Sequence, residues 1–279
     1  MNPEWASRVL QMEVPSLLRL IPDPPETLWG VGQVPDRPGV AIVGTRRCTS
    51  YGRRVARWLG EAVARAGWPV ISGLARGVDA AAHQAVVQTS GVGVAVLGSG
   101  ADTVYPPENG QLASDLVATG GAVISEYQPG TPPAPFRFPA RNRLISGLSS
   151  AVVVVEAGLT GGALITARLA LEQGKEVLAV PGDIDRPTSA GCNLLIRDGA
   201  HPVLGAEDLI NCLEFILGPA PAAPAPRTIA SGDTVDELVA ASDRPVSEVL
   251  AELARRELEG GLRLESGRMV TAPKKGSLD

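Results

Sequence analysis

Cysteine is scarce: Cys48, Cys192 and Cys212 are the only three in 279 residues. They are too few and too widely spaced for a disulfide framework, and without a C-x-x-C pair they do not start a zinc site. They read as reduced thiols, and no metal or cofactor is expected. Lysine is almost missing, so nearly every cation is an arginine, a planar and bidentate donor. Aromatic residues number ten, only three of them phenylalanine. No stretch approaches the roughly 18 consecutive apolar residues of a membrane span. The N-terminus lacks the basic-then-apolar pattern of a secretory signal. A cytoplasmic protein with no membrane partner is the expectation.

What is present is a chain long enough for one or two domains, 44% hydrophobic, with a formal net charge of −5. That balance argues at first against a nucleic-acid partner, which needs clustered positive charge. By segment it says less: residues 1–227 hold 18 basic and 20 acidic side chains, and residues 228–273 hold 5 and 9. The acidic excess sits in the C-terminal part.

Short Val- and Ile-rich runs at Val40–Gly44, Pro69–Gly73, Gly93–Gly98, Gly121–Glu126, Ala151–Ala157 and Glu176–Gly182 read as strands buried on both faces of a parallel sheet. Amphipathic stretches alternate with them: Tyr51–Ala66, Val78–Gln88, Gly110–Thr119, Leu164–Gln173 and Glu207–Ile216. Strand and helix in alternation predict an α/β fold, a Rossmann-like, doubly wound, mainly parallel sheet with ligands outside the carboxyl ends of its strands. Residues 1–39 read as an extension leading into that domain, and 40–217 as the domain itself. The Pro/Ala run of residues 218–227 reads as a semi-rigid linker. In residues 228–273, two short helices (Thr234–Ala241 and Val246–Glu257) precede two small strands (Leu262–Glu265 and Arg268–Val270), the pattern of a winged helix. Residues 274–279 form a tail.

Two nucleotide-binding motifs are missing from the strand ends. The first run is followed by Gly44-Thr45-Arg46-Arg47, with neither the G-x-G-x-x-G fingerprint of a dinucleotide enzyme nor a P-loop. That removes an NAD-dependent dehydrogenase. Arginine stands in place of the glycines, and a cation among small residues and helix N-termini is an anion site. Similar signals follow later strands: Ser72, Gly73 and Arg76 after the second, and Gly161, Gly162 and Thr166 after the fifth. Between the fourth and fifth lies Phe136-Arg137-Phe138-Pro139-Ala140-Arg141-Asn142-Arg143, read as a cationic loop that interleaves rings with charge. Unstacked bases lie on rings and phosphates on arginines, so the stretch suits a single strand rather than a duplex.

These motifs, with Gly77-Val78-Asp79-Ala80, Tyr105-Pro106, Ser125-Glu126 and Ala179-Val180-Pro181-Gly182, occur in the order and spacing of the DNA-processing protein A (DprA, or Smf) family, which the chain resembles from about Leu18 to Ile216. The resemblance implies a dimeric, non-enzymatic protein that binds single-stranded DNA without regard to sequence and loads the RecA recombinase in natural transformation. It implies a strand-binding pocket around Arg46 and Phe138, lined by the backbone of Gly44, Gly73 and Gly161. Where some members carry a lysine three residues before the aromatic, this chain has Pro135, and Arg137 is the substitute cation. The chain leaves too few residues before Leu18 for the small helical domain related to the sterile-alpha-motif fold with which many members begin.

Blander readings stand beside these. Arg53, Arg54 and Arg57 suit a solvated helix face. Arg141, Asn142 and Arg143 either hold DNA or pin a loop, and Glu126 and Glu156 either orient those arginines or act as carboxylates of a related nucleotide hydrolase that cleaves a glycosidic bond. Asp79 and His83, four apart, read as a packed histidine rather than an acid/base pair. The second winged-helix helix is net negative, which favours a protein partner over duplex DNA. The apolar face of Leu209, Ile210, Leu213 and Ile216 is the dimer candidate, if it is not buried within the monomer.

Overall fold

The computed structural model describes residues 3–221 and the backbone of 262–265 and 268–271. The first half runs α1 (Pro3–Ser7), β1 (Leu10–Met12), α2 (Ser16–Arg19), β2 (Leu28–Gly32), β3 (Gly39–Val43), α3 (Ser50–Arg65), β4 (Val70–Ser72), α4 (Val78–Gln88), β5 (Gly93–Val96). It continues with α5 (Gly110–Ala118), β6 (Ala122–Ser125), α6 (Arg137–Gly147), β7 (Ser149–Val154), α7 (Gly162–Glu172), β8 (Glu176–Ala179), α8 (Ala190–Arg197), β9 (His201–Pro202) and α9 (Ala206–Leu217). Each of the six expected strands is present, ending one to three residues before its apolar run does. The leftover residues lead into the loops above the sheet.

One nine-stranded sheet has the order β1-β2-β6-β5-β4-β3-β7-β8-β9. The pairs β1/β2 and β2/β6 are antiparallel and all others parallel. Residues 1–39 therefore do more than lead into the domain, because β1 and β2 extend its sheet. The chain winds outward from β3 through β4, β5 and β6, then returns to the other side of β3 with β7. That reversal opens a crevice between the loops after β3 and β7.

Side chains alternate along β3, so Val40 and Ile42 join one core and Ala41 and Val43 the other. The first core packs Val55, Leu59 and Val63 of α3 with α4, α5 and α9. The second packs Leu144 and Ile145 of α6 with Ala163, Ala167 and Ala170 of α7. In α9, Leu209 and Leu213 are fully buried in the first core, while Ile210 and Ile216 are half-buried against it. Leu209 and Leu213 are thus structural, and the helix packs on its own domain with the face proposed for a dimer.

The chain divides into two compact units, Met1–Pro224 and Ala225–Asp279, parting within the Pro/Ala run. In the second unit β10 (Leu262–Glu265) and β11 (Arg268–Thr271) pair antiparallel, as their sequence suggests. The two helices expected at 234–241 and 246–257 lie outside the described residues.

Candidate functional site

The loop after β3 is held from below by backbone. Thr45 N–H donates to the Glu156 carbonyl at 2.7 Å, and Val78 N–H donates to the Thr45 carbonyl at 3.3 Å. Gly44 has to be glycine, since a Cβ there would lie 2.5 Å from Val78 Cγ2. Gly77, before α4, has φ +82°, and a Cβ would meet the Thr45 oxygen at 2.3 Å. Two loops thus nest with no room for side chains between them. Arg46 and Arg47 are pushed outward.

Both arginines are exposed, and neither side chain makes an ion pair or hydrogen bond among the described residues. Arg46 Cζ lies 4.8 Å from the Phe138 ring centroid, and Phe138 in turn sits 5.5 Å from Tyr105 in a tilted ring pair. Below this stack is a cavity of about 660 Å³, lined by Gly44, Thr45, Arg46, Arg47, Asp79, Phe138, Arg141, Asn142, Gly161, Gly162 and Thr166, with Val43, Ile145, Ala157 and Ala163 as its apolar wall. Gly161 and Gly162 open α7 with no side-chain cap, and nothing lies within 3.5 Å of where their Cβ atoms would be. The N–H groups of Gly162 and Ala163 have no acceptor among the described residues and stand at the helix's positive end, while Leu164 N–H turns back to the Gly161 carbonyl at 3.1 Å. The neighbouring α3 contrasts with it. Its N-terminus is closed by Thr49, whose hydroxyl and N–H both donate to the Glu156 carboxylate at 2.9 and 2.8 Å.

The stretch read as a loop, Phe136 to Arg143, is instead the start of helix α6, and a helix points its arginines in different directions. Arg141 is buried, 4% exposed. It donates to the Gly73 carbonyl at 2.8 Å, to the Val96 carbonyl, and to Asn142 Oδ1 at 2.9 Å. Burial lowers its pKa to about 10 against the pull of Asp79. Its guanidinium explains Gly73, because a Cβ there would overlap it at 2.1 Å. Arg143 turns away into a bidentate pair with Glu126, at 2.7 Å to each oxygen, and adds Asp23 at 2.8 Å. Arg137 donates to the Pro132 carbonyl and lies over Tyr127 and Phe136, so it clamps its own loop. Neither Arg137 nor Arg143 lines the cavity.

Other expected residues carry structural hydrogen bonds as well. Ser72 is buried and its hydroxyl donates to the Ile42 carbonyl at 2.7 Å, tying β4 to β3. Asn142 Nδ2 donates to the Gly162 carbonyl at 3.2 Å, and Thr166 Oγ1 to the same oxygen at 3.2 Å. Arg76 stands at the rim of a smaller hollow with Arg46, Tyr105 and Phe138, but its Nε is paired with Glu108. Glu126 orients an arginine as expected; Glu156 caps a helix instead. Asp79 and His83 are both buried and share no hydrogen bond. His83 packs near Gly93, with only a weak contact to the Val94 backbone, and burial lowers its pKa to about 3.

Tyr105, weighed in the sequence as a base contact at a turn, and Asp79, weighed there only as a partner of His83, both line the cavity. Asp79 Oδ2 accepts the Gly73 and Ala75 N–H groups at 3.1 and 3.4 Å. Burial raises its pKa, opposed by Arg141, these two hydrogen bonds and Arg46.

Sheet order and crevice together define a Rossmann-like α/β protein with a basic, ring-edged pocket at its topological switch point. Within that class the chain belongs to the family described as DNA recombination-mediator protein A, whose family model matches residues 7–214. It is 42% identical to "Protein Smf" of Escherichia coli over 83% of this chain and 67% of that one. It is also 42% identical to "DNA processing protein DprA" of Bacillus subtilis over 71% of this chain and 67% of that protein. Curated relatives are longer, and the chain spans about half to two thirds of their length. An X-ray structure of DprA from Streptococcus pneumoniae superposes with a TM-score of 0.67 at 36% identity, covering 75% of each chain. A DprA structure from Helicobacter pylori, described as showing a single-stranded DNA binding mode, gives 0.67 at 30% identity over 74% of this chain and 95% of that one.

Proposed function

We propose that the protein binds single-stranded DNA without regard to sequence, pairs with a second copy of itself, and hands the strand to RecA. The observation that carries the binding reading is the pair Arg46 and Arg47, exposed and unpaired above an uncapped helix N-terminus, with Arg46 against a stack of two rings. Phosphates would meet the arginines and the α7 N–H groups, and a base would meet Phe138 or the apolar wall. A duplex keeps its bases stacked and offers neither. The Helicobacter relative, whose description names a single-stranded DNA binding mode, supports the same reading. The two carboxylates considered for a nucleotide hydrolase are already engaged, Glu126 by Arg143 and Glu156 by Thr49.

An electrophoretic shift with oligo-dT and with duplex of equal length, repeated with RecA present, tests this. Oligo-dT is expected to shift and the duplex to shift weakly, with RecA adding a slower band only on the single strand. Two free rim arginines alone give a slope of log K against log salt of about −1.4 or steeper. Equal affinity for duplex, or binding insensitive to salt, overturns the proposal.

A further inference from the structure

The pocket holds a buried carboxylate that phosphate binding does not use. Asp79 is 5% exposed and lines the cavity, which phosphate chemistry alone would make an unfavourable place for a negative charge. Its Oδ2 is anchored by two backbone N–H groups, so the side chain cannot swing away. Its Oδ1 takes no hydrogen bond among the described residues and is not sealed off, so it presents a fixed acceptor to the cavity. Arg141, a buried cation that shares the cavity, donates Nη1 to the Gly73 and Val96 carbonyls and forms no ion pair with it. An acceptor held in an apolar-walled space wants a neutral N–H donor.

We propose that Asp79 accepts a hydrogen bond from the pairing edge of one base drawn into this pocket from a bound single strand. The proposal rests on the single-strand reading above. Every base carries an N–H on that edge: N3–H in thymine, N1–H in guanine, and an exocyclic amino group in adenine and cytosine. One acceptor therefore engages all four and selects strongly for none. In a duplex the same N–H groups are already donated to the opposite strand. Asp79 would thus read single-strandedness itself, while Arg46 and Arg47 read only charge. A cavity of about 660 Å³ is large enough for one nucleotide, small-ligand pockets spanning roughly 300–1,000 Å³.

Wild-type protein is titrated with labelled oligo-dT and with the same oligonucleotide N3-methylated on every thymine, and Asp79→Asn is titrated with oligo-dT and oligo-dC. In the variant the amide oxygen can keep both backbone N–H groups, which turns its NH₂ toward the pocket and replaces an acceptor with a donor. The wild type is expected to lose about tenfold or more on N3-methylation, the scale of a hydrogen bond to a charged group. Asp79→Asn is expected to lose about tenfold on oligo-dT and on oligo-dC alike, since each base donates an N–H to the lost acceptor. Free thymidine monophosphate in a hundredfold excess over the oligonucleotide is expected to leave the complex intact; displacement would assign the pocket to a free nucleotide and overturn the strand reading. Equal wild-type affinity for the methylated strand, or undiminished binding of both homopolymers by the variant, overturns the role of Asp79 alone. A wild type that ignores oligo-dT overturns the binding reading and this inference together.

Discussion

Arg141 and Arg143 stand two apart on one helix, yet Arg141 lines the cavity while Arg143 turns away to Glu126. Arg141 joins α6 to the ends of β4 and β5 through the Gly73 and Val96 carbonyls. Arg141→Ala should cost about 3 kcal/mol or more in denaturant unfolding, because buried carbonyl and amide acceptors lose their donor. His83 carries a second residue-scale expectation. Its folded pKa of about 3 lies below the unfolded value near 6.5, so the unfolded chain takes up the proton first and stability falls as pH drops through 6.5. The residue should remove about 2 kcal/mol between pH 7 and pH 5. Asp79, with a raised pKa, acts with the opposite sign, so the clean measurement is the difference between wild type and His83→Leu. A wild type whose stability changes with pH as that variant's does would refute it. In sequence the arginines of residues 137–143 look alike. Their environments separate them, and burial by residues tens of positions away is not written in local spacing.

At the scale of elements the strands were legible, since a run apolar on both faces has few alternatives. Their ends were not, because Val155 and Val180 continue the apolar run past the ends of β7 and β8 while each still donates its N–H to the neighbouring strand, to the Val43 and Val154 carbonyls. Helix α6 was misread as a loop. Its Phe-Arg-Phe-Pro start has weak helix propensity, and packing of Leu144 and Ile145 on the sheet overrides it. The nested loops after β3 and before α4 make a direct prediction. Gly77→Ala adds a Cβ at positive φ and 2.3 Å from the Thr45 oxygen. It should displace the Arg46 loop and weaken oligo-dT binding by about tenfold or more, while costing about 1–3 kcal/mol of stability. Unchanged affinity in a folded variant would show that the loop does not position the site.

For the whole molecule, a net charge of −5 does not decide the question, because a nucleic-acid site needs only a few cations free of partners and Arg46 and Arg47 are such cations among the described residues. Self-association cannot use Leu209 and Leu213, which already fill the core. The same helix still presents Phe215, 93% exposed. If a second copy docks there, Phe215→Asp should shift light-scattering mass from dimer to monomer while leaving the thermal midpoint within a few degrees. A variant that stays dimeric would place the contact elsewhere. The boundary between the two compact units falls within the Pro/Ala run, a composition that disfavours both helix and sheet.

The central claim is that unpaired arginines at the switch point grip the strand. Fluorescence anisotropy of labelled oligo-dT with wild type, Arg46→Glu and Arg65→Glu tests it most directly, since Arg65 lies at the far end of α3 and pairs with Glu61. Arg46→Glu should weaken binding about 100-fold, near 2.7 kcal/mol, and Arg65→Glu less than about threefold. Undiminished binding by Arg46→Glu, or equal losses in both variants, would contradict the account.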